Sequence, residues 1–299
     1  MSSIIKRLTR LREKDIIQPM KQTNSINSPF RYAGGKFYAR KLISEHLINT
    51  DVYCEPFAGG ASVFFYKDKS KFNILNDLDK DLMRVYLVIR DNPEEMIAKL
   101  ATYDYPSNEA HHYYKNEYKP KNEIEEASRW YYLNRISYSG IMKFQNCYFG
   151  YGDKYSMQPK NWPSNIRRTS KKLQGVELRC TDAIECIHSM PDGALLFVDA
   201  PYYNADQDKF YTCYFSHQDH LRLCEALKEE QHRLKLFITY DNCEDIREMY
   251  SFLPYMYDME WNYCINRTDN QKEGKRLEDG YSGKRGKGKE LFILNYQAN

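Results

Sequence analysis

Asp199-Ala200-Pro201-Tyr202 directly follows the apolar run Ala194-Leu195-Leu196-Phe197-Val198. The run predicts a buried strand. An acid, a backbone kink at Pro201 and an aromatic ring therefore fall at a strand's carboxyl end. In open α/β sheets, ligands bind just beyond that end. The Asp199 carboxylate and the Ala200 carbonyl can both accept hydrogen bonds from an NH2 group. The Tyr202 ring offers a stacking face. The chemistry predicted is capture of the exocyclic amine of a flat base.

A second constellation predicts a cofactor. Glu55-Pro56-Phe57-Ala58-Gly59-Gly60 forms a glycine turn between a short strand, Val52 to Glu55, and a helix from Ala61 to Tyr66. Glycine there lets the backbone turn tightly and a ligand come close. The turn is neither GxGxxG nor a Walker loop, since no Lys-Ser/Thr follows its last glycine. Asp77 ends the next strand, 22 positions after Glu55. That is near the spacing of the acid that binds ribose hydroxyls. The site suits an adenosine-type cofactor without pyrophosphate, which describes S-adenosylmethionine. A nicotinamide oxidoreductase is the rival enzyme class, and it would need a pyrophosphate turn.

These residues must be positioned by a repeating βα pattern. Phe37 to Leu47 reads as a helix, Phe72 to Asp77 as a strand, and Asp81 to Arg90 and Pro93 to Ala101 as helices. The pattern resumes with strand Val176 to Cys180, helix Ala183 to Ser189 and strand Leu195 to Asp199. A helix to Gln231, strand Leu236 to Tyr240, helix Glu244 to Tyr250 and strand Glu290 to Asn295 follow. The fold class is α/β, a Rossmann-like doubly wound sheet. Residues 1–27 read as a basic extension, 28–101 with 176–299 as the sheet domain, and 102–175 as an inserted lobe. That lobe is rich in Tyr, Asn, Lys and Gly. One helix, Ile124 to Asn134, a hairpin or irregular loop at Tyr138 to Gly152, and a basic patch of Arg167, Arg168, Lys171 and Lys172 are expected in it.

Four blocks in this order resemble the Dam-type (alpha-class) DNA adenine-N6 methyltransferase family. They are Pro29-Phe30-Arg31-Tyr32-Ala33-Gly34-Gly35-Lys36, Glu55 to Gly60, Asn76-Asp77-Leu78-Asp79, and Asp199-Ala200-Pro201-Tyr202. Ala200 stands where that family usually has the first proline of D-P-P-Y. The likeness spans about residues 28 to 299. It implies a site-specific enzyme that moves a methyl group from S-adenosylmethionine to adenine N6 in double-stranded DNA. Base flipping and direct attack are implied, with Asp199, Ala200, Pro201 and Tyr202 catalytic. Tyr32, Lys36, Glu55, Pro56, Phe57, Ala58, Gly59, Gly60, Asp77, Leu78, Asp182 and Asp199 would hold the cofactor. For Asp182 a helix N-cap is a second role, since it directly precedes a helix. The alternative reading is a methyltransferase-fold DNA-binding protein whose activity Ala200 has weakened or abolished.

Asn134-Arg135-Ile136-Ser137-Tyr138-Ser139-Gly140 resembles the family's segment ahead of its DNA-reading hairpin, with Ser139 where Asn is frequent. Arg135, Tyr138, Ser139 and Lys143 are the expected DNA contacts there. Lys284, Arg285, Lys287 and Lys289, in a Gly/Lys/Arg-rich loop, can neutralise phosphates. The target-recognition role falls to the lobe, as mainly helical structure plus a hairpin.

The net charge of +3 neither demands nor excludes nucleic acid. No apolar run reaches the roughly 18 residues of a membrane span. Met1 to Met20 lacks an apolar signal core, and the eight cysteines form no CxxC pair, so a cytoplasmic chain with reduced thiols is expected. Ser216-His217-Gln218-Asp219 reads as a capping box rather than a metal site, and no metal is assigned. The expected partner is DNA, with no membrane, a restriction endonuclease as functional companion and a monomeric state.

Overall fold

The computed structural model describes residues 24–32, 34–154, 156–204, 212–262 and 287–298. The basic extension up to residue 23, Lys284 and Arg285 lie outside the described residues. Seven strands form one sheet: β1 Val52–Glu55, β2 Phe72–Asn76, β3 Val176–Arg179, β4 Leu195–Val198, β5 Lys235–Asp241, β6 Tyr255–Asn262 and β7 Lys287–Leu294. Their order is β3-β2-β1-β4-β5-β7-β6. The first five are parallel, and β7 runs antiparallel between β5 and β6. The order reverses between β1 and β4, which opens a crevice beyond their carboxyl ends.

All four residues of β4 are buried, as an unbroken apolar run requires of a central parallel strand. Its side chains alternate between two cores. Leu195 and Phe197 join Tyr53, Leu75, Phe237 and Phe292 on one face. Leu196 and Val198 join Cys54, Ile74, Leu236 and Ile293 on the other.

Among the described residues ten α-helices cover these faces: α1 Arg40–His46, α2 Ser62–Tyr66, α3 Lys80–Asp91, α4 Pro93–Leu100, α5 Asn108–Asn116, α6 Glu123–Ile136, α7 Trp162–Leu173, α8 Ala183–His188, α9 His217–Glu230 and α10 Glu244–Met249. Residues of α1, α2, α3, α6 and α7 line the first core. Those of α8, α9 and α10 line the second. Several starts follow from short polar side chains that accept free backbone N–H groups. Asp79 caps α3 and Ser107 caps α5, while Ser216 and Asp219 form the expected capping box at α9.

Residues 102–175 hold three α-helices where one is expected from the sequence. The missed α5 buries Ala110, His111 and Tyr114, a stripe with little aliphatic signal. Its packing is aromatic: Tyr103 stacks on Tyr114 with ring centroids 4.3 Å apart, and Tyr132 lies 4.8 Å from Tyr114. The hairpin region consists of two 3-10 turns, Tyr138–Gly140 and Phe144–Asn146, closed by a bridge between Ser137 and Phe149.

The expected basic patch is not one surface. The α7 helix packs on α3 and α4. Arg167 makes a two-pronged pair with Glu94 at 2.7 and 2.6 Å. Lys172 is buried and donates to the Lys67 carbonyl at 2.6 Å. Arg168 and Lys171 remain exposed. Strand β6 is also absent from the sequence reading, because acids interrupt its aromatic residues. In addition, Lys287 to Lys289 belong to β7 rather than to a loop.

Candidate active site

The glycine turn after β1 is built by its neighbours. Ala58 N donates to Asn76 O at 2.8 Å, and Gly59 N donates to Asp77 Oδ2 at 2.8 Å. Gly59 has φ +46°, and a Cβ there would stand 2.9 Å from the Tyr32 ring. Glycine is therefore demanded twice, by the left-handed backbone and by the ring above it. Asn76, fully buried, ties three strand ends together. Its amide donates to Pro56 O and Thr181 O, both at 3.0 Å, and its carbonyl accepts from Thr181 N at 3.0 Å.

Beyond these ends lies a cleft that is open to solvent at its mouth. Tyr32, Pro56, Phe57, Gly59, Asp77, Leu78, Asp182, Asp199 and Pro201 all line it. Sequence positions as far apart as Tyr32 and Arg222 thus meet in one space. Leu78 is 55% exposed yet faces this cleft, an apolar surface suited to a flat ring. Ile184, Phe215 and Arg222 also line it and are not singled out by the sequence.

Asp77 Oδ1 accepts from Asp79 N at 3.0 Å, while Oδ2 holds Gly59 N. Burial pushes its carboxyl up to about 6, against the opposing effect of those N–H groups. Asp182 caps α8 by accepting from Ile184 N at 2.8 Å, and its other oxygen lies 3.5 Å from Arg222 Nη2. Among the described residues four carboxylates, Asp77, Asp182, Asp199 and Asp219, therefore share the cleft with the Arg222 guanidinium, which lies 3.0 Å from Asp219 Oδ1. That set suits a ligand with ribose hydroxyls, an amine and a positive charge, and it repels a pyrophosphate.

Other residues of the same blocks lie behind the cleft. Glu55 is buried and accepts from Tyr53 OH at 2.7 Å and Phe64 N at 2.8 Å. Burial pushes its carboxyl up to about 8, with those two bonds opposing. Ala58 is buried as well, and a Cβ on Gly60 would stand 3.0 Å from the Tyr32 Cβ.

At the end of β4, Asp199 Oδ1 pairs with the Lys36 ammonium at 2.6 Å and accepts from Thr239 Oγ1 at 2.7 Å. Lys36 is 4% exposed, and its Nζ lies 4.6 Å from the centre of the Tyr202 ring. The Tyr202 hydroxyl donates to Glu290 Oε2. Glu290 is buried on β7, with its Oε2 4.0 Å from Lys36 Nζ. Burial pushes its carboxyl up to about 7, opposed by Lys36 and Tyr202. Ala200 is buried. The next turn is held by Asp241, which accepts from Tyr203 N at 3.0 Å and Asn204 Nδ2 at 2.8 Å.

Asn76, Thr239, Asp241 and Glu290 carry no assigned role in the sequence reading. The one available signal was Glu290 itself, an acid opening the otherwise apolar Leu291-Phe292-Ile293-Leu294.

In the lobe, Tyr138 is 39% exposed on a 3-10 turn, and Ser139 has φ 54°. Asn tolerates that left-handed backbone better than Ser does. Lys143 is half-buried. Arg135 is 6% exposed and donates to Pro29 O at 3.3 Å, so its guanidinium faces the protein interior.

A parallel sheet with an antiparallel β7 inserted beside β5, and a ligand cleft at the β1/β4 switch point, define a Rossmann-like methyltransferase fold. Residues 32–265 match the family described as D12 class N6 adenine-specific DNA methyltransferase. The chain belongs to that family. It is 27% identical to the type II methyltransferase M.MjaIII of Methanocaldococcus jannaschii, over 90% of this chain and 99% of the relative. It is 25% identical to the DNA adenine methylase of Escherichia coli K12, over 62% of this chain and 68% of the relative. Identity to the DNA N-6-adenine-methyltransferase of Escherichia phage P1 is 27%, over 75% of this chain and 31% of that longer protein. No helix among the described residues is long and apolar enough to cross a membrane.

Proposed function

We propose that the chain methylates adenine N6 within a specific site in double-stranded DNA, with S-adenosylmethionine as the methyl donor. The observation that carries this reading is the convergence of Asp77, Asp182 and Asp199 with Tyr32 and Leu78 in one cleft. Asp77 would hold the ribose, Leu78 would pack on the adenine of the cofactor, and Asp182 would accept from its amine. Tyr32 and the Pro56–Gly60 turn would border the methionine end. The cofactor supplies an electrophilic methyl group on a sulfonium.

The protein's own residues do the rest. Adenine N6 is a weak nucleophile because its lone pair is delocalised into the ring. Asp199 and the Ala200 carbonyl would each accept one of its hydrogens, which favours a pyramidal nitrogen aimed at the methyl group. This is positioning plus electrostatic stabilisation. The target base is out of reach inside a duplex, so it would be flipped out and stacked on Tyr202. Tyr138 would wedge into the gap from the lobe. Lys143, and Lys284, Arg285, Lys287 and Lys289 of the basic segment, would contact DNA. Ser139 would shape the turn that presents Tyr138.

A binding-only protein is the second reading, favoured by Ala200 in the motif. Alanine supplies the same carbonyl as proline but leaves φ unlocked. Tritiated methyl transfer by the natural chain and by Ala200→Pro separates the two. Transfer by the natural chain supports the enzyme. No transfer by either form, with cofactor bound, refutes it. A melting temperature raised by S-adenosylmethionine but not by NAD tests the cofactor.

A further inference from the structure

We propose that Glu290 is a positioning residue for the amine-binding site, governing how fully Lys36 neutralises Asp199 and holding the Tyr202 ring in place. The inference rests on the reading of Asp199 as the carboxylate that accepts the target amine.

The geometry is a closed set of four groups from different parts of the chain. Lys36 directly follows Gly34-Gly35, Asp199 and Tyr202 follow β4, and Glu290 lies on β7 beside β5. The Lys36 ammonium is 2.6 Å from Asp199 Oδ1 and 4.0 Å from Glu290 Oε2. Glu290 Oε2 also receives the Tyr202 hydroxyl. Its Oε1 is buried with no hydrogen-bond partner among the described residues. A buried carboxylate with one oxygen unpaired is costly to keep ionised. Glu290 is the register partner of Asp241 on β5 and of Met259 on β6. The groups that bear on its charge are therefore Lys36 and Tyr202, which favour the anion, and Asp199 and Asp241, which oppose it.

Two states follow. With Glu290 ionised, Lys36 is shared by two carboxylates. Asp199 then keeps enough negative charge to accept an amine hydrogen, and Tyr202 is held by a charge-assisted bond. With Glu290 protonated, the ammonium belongs to Asp199 alone, which weakens that oxygen as an acceptor. The Tyr202 bond weakens in step. The carboxyl of Glu290 lies near 7, so the change falls in the neutral range. Methyl transfer should rise with pH as Glu290 ionises.

Glu290→Gln keeps the shape and an acceptor for the Tyr202 hydroxyl but stays neutral at every pH. The test is the pH profile of kcat for natural chain and variant, on DNA carrying the chain's own target. The natural chain should lose activity below neutrality. Glu290→Gln should turn over about tenfold more slowly above pH 8, with that limb flattened and cofactor Kd changed by less than about threefold. Glu290→Asp, still ionisable, should restore the limb. A limb that persists in Glu290→Gln overturns the proposal, as does its absence from the natural chain.

Titration of the glutamate carboxyls by 13C NMR supplies a readout independent of turnover, with Glu290 assigned by the signal lost in Glu290→Gln. Titration near neutrality, with Tyr202 ring signals following, supports the network, whereas titration in the ordinary carboxylate range overturns it. No transfer by the natural chain at any pH would refute the role given to Asp199, an outcome distinct from either NMR result.

Discussion

The Asn134 side chain pairs with both backbone groups of Arg31. It accepts from Arg31 N at 3.0 Å and donates to Arg31 O at 2.7 Å. The same amide donates to Gly140 O at 3.1 Å. One buried residue at the end of α6 thus joins the segment entering the cleft to the turn that carries Tyr138 and Ser139.

Asn134→Asp would remove the donor and set a carboxylate against two carbonyl oxygens. A loss of about 2–4 kcal/mol in unfolding free energy is expected, as for a buried polar group left unsatisfied. Chemical denaturation measures it. A loss below about 0.5 kcal/mol would contradict the clasp.

Gly140→Ala and Gly175→Ala form a matched pair. Both glycines have positive φ, 71° and 70°. A Cβ on Gly140 would stand 2.3 Å from Arg31 O, while nothing lies within 4 Å of one on Gly175. Gly175→Ala should cost about 1–2 kcal/mol for the backbone alone. Gly140→Ala should cost about 1–3 kcal/mol beyond that for the collision. Equal melting temperatures for the two variants would sink the argument.

Asp182→Asn and Asp182→Ala separate the two roles of that residue. Asn is as good an N-cap as Asp, so Asp182→Asn should keep stability, and Asp182→Ala should lose about 1 kcal/mol. Both should weaken S-adenosylmethionine about tenfold or more if the carboxylate accepts from the cofactor's amine. Calorimetric titration of each variant decides. Unchanged affinity in Asp182→Asn would leave only the cap.

Glu55 sets a pH dependence of stability. Its carboxyl is raised by burial to about 8 in the fold, against roughly 4.3 in an unfolded chain. Between those values the folded state holds a proton that the unfolded chain has released. Its contribution is therefore complete below the lower value and is lost as pH rises toward the upper. Asp77, raised to about 6, adds a slope of the same sign that ends sooner. Lys67, lowered by burial to about 7, contributes the opposite slope above that pH. Glu290, raised by burial to about 7, adds to the fall, while His111 and His220, lowered by burial to about 4, contribute a rise that ends at about 6.5. The clean comparison is therefore between two forms: from about pH 5 to about pH 7 the natural chain should lose melting temperature relative to Glu55→Gln. An identical slope in both would refute the assignment.

The local sequence determined what local physics governs. An unbroken apolar run such as Leu195 to Val198 has no stable place except a buried strand. The Gly59 and Asp77 blocks fall at strand ends because strands are short and turns need their residues. Asp182 and Ser216 could be read as caps because capping requires only the next few backbone groups. The order of these blocks along the chain was enough to indicate the cleft. The lobe was less legible. The α5 helix buries Ala110, His111 and Tyr114, which give little aliphatic signal, and in α7 Thr169, Ser170 and Lys172 are buried among Trp162, Ile166 and Leu173, which blurs its apolar period. Four basic residues near each other in sequence looked like one surface. The α7 helix turns Lys172 inward and gives Arg167 to Glu94.

Partners distant in sequence were settled only by the tertiary structure. Arg135 looked free to meet DNA and instead donates to Pro29 O, 106 positions away. Glu290 lies 88 positions from Tyr202, and an acid opening an apolar run does not say which distant residues it will meet. A hydrogen bond acts over about 3 Å in space and carries no signature along the chain. The sheet order that brings β7 beside β5 is what joins Glu290, Lys36 and Asp199.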